Sequence, residues 1–153
     1  MSRRPVEIVA SAVEEYGSGR EAVLQILTRV NGELGYIPEE AMKAVAAAVG
    51  VSDAEVYGVV SFYSFLSVKP RGRNIIRICD TVTCGMKGFK DVVAAIEEEL
   101  GVGVGETTPD GRVSLETTSC LGLCDQAPAM LVNDTPYIRL TPEEARRIVA
   151  GLE

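Results

Sequence analysis

Apolar residues recur every three or four positions through the first part of the chain, and then the rhythm changes. Val6, Val9, Val13 and Tyr16 fall on one helical face, as do Val23, Leu27, Val30 and Leu34, and then Met42, Val45 and Val49. Gly17-Ser18-Gly19 and Gly50 interrupt these runs. Ser52, with Glu55 three residues on, has the form of a capping box and opens a fourth predicted helix, with Val56, Val59, Val60 and Tyr63 as its apolar face. The stretch "SVKPRGRN", Ser67 to Asn74, carries Pro70 and Gly72 and follows no period. It predicts a boundary between a helical domain, residues 1–69, and a second domain, residues 70–153.

Beyond that boundary strands and helices alternate. "NIIRIC" is short and β-branched, as a buried strand would be. A helix is expected from Cys84 onward, with Phe89, Val92, Val93, Ile96 and Leu100 inward. "GVGVGETTPDG" reads as a loop, in which Pro109-Asp110-Gly111 is a turn by its own chemistry. "RVSLETT" alternates as a half-buried strand, and "AMLVN" and "YIRL" predict a hairpin around Asp134-Thr135-Pro136. Thr141-Pro142-Glu143-Glu144 is a helix start, followed by an inward stripe of Ala145, Ile148, Val149 and Leu152. The order β-α-β, then β-β-α, is that of a small thioredoxin-like sheet. The fold class expected is α+β: a helical bundle followed by a thioredoxin-like α/β domain.

Composition narrows the function. Apolar residues make up 46% of the chain, enough for a packed core, and the net charge of -7 disfavours nucleic acid and anionic membrane surfaces as partners. There is no histidine, which excludes His-based catalysis and mixed Cys/His zinc sites. Arg3 and Arg4 resemble the start of a signal sequence, but Pro5 and Glu7 follow at once. The longest uncharged run, Tyr57 to Val68, is shorter than the roughly 20 residues a membrane helix needs. A cytoplasmic protein is expected, free or on the cytoplasmic side of a membrane complex, with no direct membrane insertion.

The four cysteines form two close pairs, each after a predicted strand: "CDTVTC" with Cys79 and Cys84, and "CLGLC" with Cys120 and Cys124. In a reducing compartment such pairs are ligands or reactive thiols more often than structural disulfides. Zinc sites usually show two to four residues between paired ligands, so intervals of four and three are tolerable for zinc. A two-iron cluster needs two ligands on each iron and suits two pairs held slightly apart. A disulfide oxidoreductase would show C-x-x-C, which neither pair does. Spacing ranks the cluster above zinc and zinc above a disulfide, and all three stay open on spacing alone. Gly85 and Gly88 follow Cys84, and Gly122 lies between Cys120 and Cys124. Glycines let backbone N–H groups approach sulfur, or simply turn a loop. Asp80 and Asp125, each beside a cysteine, are candidates for lowering a reduction potential, or are ordinary solvated carboxylates.

"CDTVTCGMKG", together with "GETTPDGRVSLETTSCLGLCDQAPAMLVND", resembles the thioredoxin-like [2Fe–2S] ferredoxins. More closely it resembles the small iron–sulfur subunit of NADH dehydrogenases (complex I), NAD-linked formate dehydrogenases and NAD(P)-coupled hydrogenases. "LQILTRVNGELGYIPEEAMKAVAAAVGVSDAEVYGVVSFYSFL" is similar to that family's helical domain. The resemblance implies that Cys79, Cys84, Cys120 and Cys124 hold one [2Fe–2S] cluster, with a potential on the order of −400 mV. It implies an electron carrier with no catalytic residue of its own, and places FMN and NAD(P) on a partner, a flavin- and NAD(P)-binding iron–sulfur subunit. A further hydrogenase, formate dehydrogenase or complex I subunit would complete the assembly. "GVGVGETT" has glycines but follows a helix, so it lacks the context of a dinucleotide fingerprint. The rival classes are a structural four-cysteine zinc module and a thiol–disulfide oxidoreductase. Pro128 stands where thioredoxin-like folds place a cis proline, although trans is the commoner state of such bonds. The aromatic run Tyr57 to Phe65 combines a buried stripe with Phe62 and Phe65 at its edge, either packed on the sheet or facing a partner. The glutamates of "AIEEEL" read as a solvated helix face.

Overall fold

The computed structural model describes residues 4–153, so that Arg3 of the Arg3–Arg4 pair lies outside the described residues. The chain divides after Pro70 into two compact units.

The first unit is helical: α1 (Pro5–Tyr16), α2 (Val23–Leu34), α3 (Glu39–Val49) and α4 (Asp53–Phe62), with a 3-10 turn at Arg20–Ala22. Pro5 occupies the first turn of α1, where its missing N–H costs nothing. Ser52 accepts a hydrogen bond from the Glu55 N–H at 3.2 Å and so caps α4. Ile8, Val9 and Ala12 of α1, Ile26, Leu27 and Val30 of α2, Val45 of α3 and Val56 and Val60 of α4 form its core, joined by Ile37. Three expected core positions prove exposed. Val6 is 44% exposed and Tyr16 40%, because they sit in the first and last turns of α1 and the buried arc is centred one step round, on Ile8, Val9 and Ala12. Tyr63 is 42% exposed because α4 ends at Phe62, and Tyr63, with ψ of 112°, leaves the helical stripe. Phe62 and Tyr63 meet edge to face at 5.1 Å.

No single helix among the described residues is long and apolar enough to cross a membrane. Only α3 and α4 taken together pass on length and composition, and they are bent by 119° at their junction.

The second unit is a four-stranded sheet with helices on one face. Its elements are β1 (Asn74–Cys79), α5 (Val82–Met86), α6 (Phe89–Leu100), β2 (Val113–Thr118), β3 (Met130–Val132), β4 (Thr135–Tyr137) and α7 (Pro142–Ala150). The strand order is β2-β1-β3-β4, with β1 and β2 parallel and the remaining pairs antiparallel. Ile76 and Ile78 of β1, Val113 and Leu115 of β2, and Met130 and Val132 of β3 pack with Val92 and Ile96 of α6 and Ala145 and Val149 of α7. Thr141 and Glu144 form the expected capping box at the start of α7.

Sequence and structure part in four places here. The helix expected from Cys84 onward is two helices, separated at Gly88, whose φ of 96° lies where only glycine is comfortable. The hairpin turns at Asn133-Asp134 rather than around Asp134-Thr135-Pro136, because Val132 pairs with Thr135. Asn133 takes the left-handed φ of 54° that asparagine tolerates, and Pro136 is accommodated on an edge strand. Ser114, expected on an exposed face of β2, is buried: it accepts from the Gly72 N–H at 2.8 Å and shares a 2.6 Å hydrogen bond with the Thr107 hydroxyl. The Ala127–Pro128 bond is cis rather than trans.

Candidate metal centre

Two neighbouring strands deliver the thiols. β1 and β2 run parallel in register from Asn74 opposite Val113 to Cys79 opposite Thr118. Parallel partners finish on the same edge of a sheet, so the segments leaving Cys79 and Thr118 emerge side by side. Cys79 is the last residue of β1, and Cys120 stands two residues beyond the end of β2. The second thiol of each pair lies in a short turn of helix, Cys84 within α5 and Cys124 at the start of a 3-10 turn, Cys124–Gln126. The Asp80 N–H donates to the Thr118 carbonyl at 3.0 Å, and the Cys79 N–H to the Ala129 carbonyl at 3.1 Å, which fixes the end of β1 from both sides.

All four cysteines are free thiols, Cys79 and Cys84 buried and Cys120 and Cys124 exposed. Cys79 Sγ lies 3.2 Å from Thr81 Oγ1, and Cys120 Sγ lies 3.2 Å from Cys124 Sγ. Thr81 is the N-cap of α5, yet its hydroxyl serves sulfur rather than the helix. Gly122 donates its N–H to Cys120 Sγ at 3.3 Å and has φ of 79°, a conformation that an L side chain strains. Gly85 behaves differently: its N–H closes a helical hydrogen bond to the Thr81 carbonyl at 2.8 Å, and a Cβ there would meet nothing within 4 Å. The glycine freedom expected to matter at both positions is used at Gly122. Asp80 and Asp125 are exposed, so water screens both carboxylates.

The thiols feel one another. Burial pushes the Cys79 thiol up, but hydrogen bonds from Thr81, from Cys84 and from the Leu121 backbone outweigh it and hold Cys79 below the ordinary thiol range. Burial raises Cys84, and its hydrogen bond with Cys79 raises it further, against an opposing backbone hydrogen bond from Ala129. Cys124 is raised first by its hydrogen bond with Cys120, then by the charge of Cys120, by burial, and by the charges of Cys79 and Cys84. Both pairs therefore sit within electrostatic reach of each other, and four thiolates there would repel unless cations lay between them.

Among the described residues, no group of three or more His, Cys, Asp or Glu side chains surrounds a single point closely enough to hold one ion. What the fold presents is two thiol pairs. Thiolate is the ligand of iron–sulfur clusters, and two pairs from two loops supply two ligands to each of two irons, so the donor set fits a [2Fe–2S] cluster.

The match to known proteins agrees with this donor set. The model of the thioredoxin-like [2Fe-2S] ferredoxin family matches residues 9–153. The chain belongs to this family. The ferredoxin is 37% identical to a subunit of the NADH-quinone oxidoreductase of Escherichia coli (strain K12) over 137 residues, which cover 90% of this chain and 82% of that one. It is 39% identical to the NADH-quinone oxidoreductase subunit 2 of Thermus thermophilus over 134 residues, 87% of this chain and 74% of that one. Among solved structures it resembles an NAD+-reducing [NiFe]-hydrogenase in the air-oxidized state, with a TM-score of 0.73 and 26% identity over 89% of this chain. It corresponds to only 23% of that hydrogenase chain.

Sequence reading missed some of the surroundings of the thiols. Thr81 was findable, lying two residues after Cys79. The N–H groups of Leu121 and Ala129 carried no signal, since backbone donors have no residue type. A third omission is Arg77, 5% exposed in the middle of β1 and opposite Glu116 in register. Its Nε lies 3.5 Å from Glu116 Oε2, while Arg71 Nε lies 2.6 Å from Glu116 Oε1. Burial, and next the charge of Arg71, lower the Arg77 pKa against the opposing charges of Glu116 and Asp134, but a guanidinium stays protonated throughout the physiological range. An arginine within "IIRIC" is the sequence signal of a charge placed inside a buried strand.

Proposed function

We propose that this ferredoxin is the electron-carrying subunit of an NAD(P)H-linked oxidoreductase complex. Cys79 and Cys84 hold one side of a single [2Fe–2S] cluster, and Cys120 and Cys124 hold the other. The observation that carries this reading is the parallel register of β1 and β2, which brings the two thiol pairs to one edge of the sheet. When bound, the cluster supplies one-electron oxidation and reduction. The protein's own residues do the rest. Cys79 and Cys84 anchor from the buried side, and Cys120 and Cys124 close the site toward solvent. Thr81, Gly122 and the Leu121 and Ala129 N–H groups donate to sulfur, which stabilises thiolate and orients it.

Single electrons pass between this chain and a flavin carried by a partner subunit, which also binds NAD(P). The relatives support a partner of that class, being subunits of NADH-quinone oxidoreductase, and the hydrogenase resembled is NAD+-reducing. The chain itself transforms no substrate in this reading. It works on the cytoplasmic side of whichever assembly it joins: NADH dehydrogenase, NAD(P)-linked hydrogenase or formate dehydrogenase.

The test is spectroscopic. The chain, reconstituted anaerobically with iron and sulfide, should be brown, hold two irons, and bleach with dithionite to give a low-temperature EPR signal. NADH alone should leave it oxidised, and NADH with the flavoprotein subunit should reduce it. A colourless zinc-loaded protein would overturn the cluster assignment, and rapid reduction by NADH with no flavin present would overturn the carrier role.

A further inference from the structure

The α6 and α7 face of the sheet takes Ile76, Ile78, Val113 and Leu115, so alternation along the strands puts Arg77, Cys79, Glu116 and Thr118 on the other face. Arg77 and Cys79 are successive residues on that face of β1, and Glu116 and Thr118 stand at the same two levels of β2. Neighbouring same-face positions on a strand are about 7 Å apart. Arg77 and Glu116 thus branch from positions one rung behind the edge from which the thiols emerge. They are well shielded from water: the side chains of Arg77 and Arg71 are 7% and 9% exposed, and that of Glu116 is 23% exposed.

The geometry points to Arg77 and Glu116 as opposed buried charges that set the reduction potential of the group held by the four thiolates, Arg77 raising it and Glu116 lowering it. This rests on the reading of Cys79, Cys84, Cys120 and Cys124 as [2Fe–2S] ligands. An electron added to an anionic centre is favoured by a nearby positive charge and opposed by a negative one. Both side chains are largely closed to solvent, so water and salt screen them less than they screen surface charges. The Arg77 charge is fixed, because guanidinium does not deprotonate in proteins. Asp134, which also faces Arg77, belongs to the exposed β3–β4 turn, where solvent weakens it. Tying residues 71–73 to β2 would not by itself call for this arrangement, since apolar packing can do so without the desolvation cost of buried ions. Each neutralising substitution changes the local charge by one unit, so the direction of each shift does not depend on what else is nearby. One charge at about 10 Å in an effective dielectric of about 20 alters the equilibrium for accepting an electron roughly tenfold. For a one-electron couple that is about 59 mV.

The experiment is a potentiometric titration of the full-length reconstituted protein, followed by visible absorption and EPR, for wild type, Arg77→Met, Arg77→Lys and Glu116→Gln. The expected result is a fall of roughly tenfold in that equilibrium for Arg77→Met, a rise of similar size for Glu116→Gln, and a wild-type potential for Arg77→Lys. Shifts of one sign in both neutralised variants, or no shift in either, would overturn the inference and leave a purely structural ion network. If Arg77→Met fails to hold the cluster, Glu116→Gln decides alone: a rise supports the inference and its absence overturns it. A wild-type chain that takes up no cluster would fail at the first step, overturning the ligand assignment and this inference with it.

Discussion

Cys79 stands opposite Thr118 in the parallel ladder of β1 and β2, so Cys120 begins two residues beyond the level at which Cys79 ends its own strand. That relationship brings two pairs distant in sequence to one edge of the sheet. It also separates the pairs: Cys79 and Cys84, at the end of β1 and in α5, are buried, whereas Cys120 and Cys124, in the loop after β2 and its 3-10 turn, are exposed.

Removing a thiolate from the loop side should abolish the cluster without unfolding the protein. Cys120→Ala deletes an exposed side chain and breaks no core contact, so a thermal melt should be close to that of the wild-type apo-protein. Iron content after reconstitution should collapse, because one iron would keep a single protein ligand. Retention of two irons and an unchanged EPR signal would remove Cys120 from the ligand set.

Thr81→Val keeps the shape of the side chain and deletes the hydroxyl 3.2 Å from Cys79 Sγ. That hydrogen bond is part of what holds the Cys79 thiol low, so its pKa should rise in the apo-protein. In the reconstituted protein the lost donor should lower the reduction potential, since hydrogen bonds to sulfur offset the negative charge gained on reduction. A potential equal to wild type would show that the Thr81 hydroxyl only shapes the loop.

That the two thiol pairs share one edge of the sheet was legible in the sequence, because two pairs after two short apolar strands leave few arrangements. The residues behind it were less so. Gly85 and Gly122 look alike on paper, yet only Gly122 has positive φ and an N–H on sulfur; the difference lies in backbone conformation, which residue type does not encode. The α5–α6 break at Gly88 carried little signal, since the inward stripe starts only at Phe89 and the break is a matter of backbone conformation. Tyr16 and Tyr63 were expected inside because spacing alone does not show where a helix runs out of neighbours to cover it.

Gly122→Ala places a methyl group where nothing lies within 4 Å, so its only cost is the strain of a φ of 79°, about 1–2 kcal/mol. The strain falls on the loop between Cys120 and Cys124. Cluster loss on exposure to chelator should therefore be faster than in wild type, while the far-UV circular dichroism stays the same. An unchanged rate of loss would mean that the loop relaxes freely around the alanine.

Alkylation of the apo-protein should report the two sides separately. Cys120 and Cys124 are exposed and should react first, with Cys79 and Cys84 shielded at 2% and 1% exposure. Cys124 is held above the ordinary thiol range, so near neutral pH it is mostly protonated, and its alkylation should climb as pH rises through that elevated value. In urea, with its neighbours removed, the same climb should occur at lower pH. Mass spectrometry of peptides from a pH series tests both statements, and early modification of Cys79 would contradict the burial.

The second unit should fold and hold the cluster without the first. All four thiols lie after Pro70, and the sheet has its own core against α6 and α7, with Ile76, Ile78, Ile96, Leu115 and Met130 fully buried. Residues 71–153 should therefore express as a soluble brown protein with the visible spectrum of the full chain. A companion variant in the intact chain separates the units from the other side. Leu27 is fully buried in the helical core, and Leu27→Ala should cost about 2–5 kcal/mol of that unit's stability. If the units are independent, the helical signal of Leu27→Ala should melt earlier while the visible bands bleach at the wild-type temperature. Coincident loss of both signals, or a truncated chain that is insoluble or colourless, would show that the cluster fold needs the helical unit.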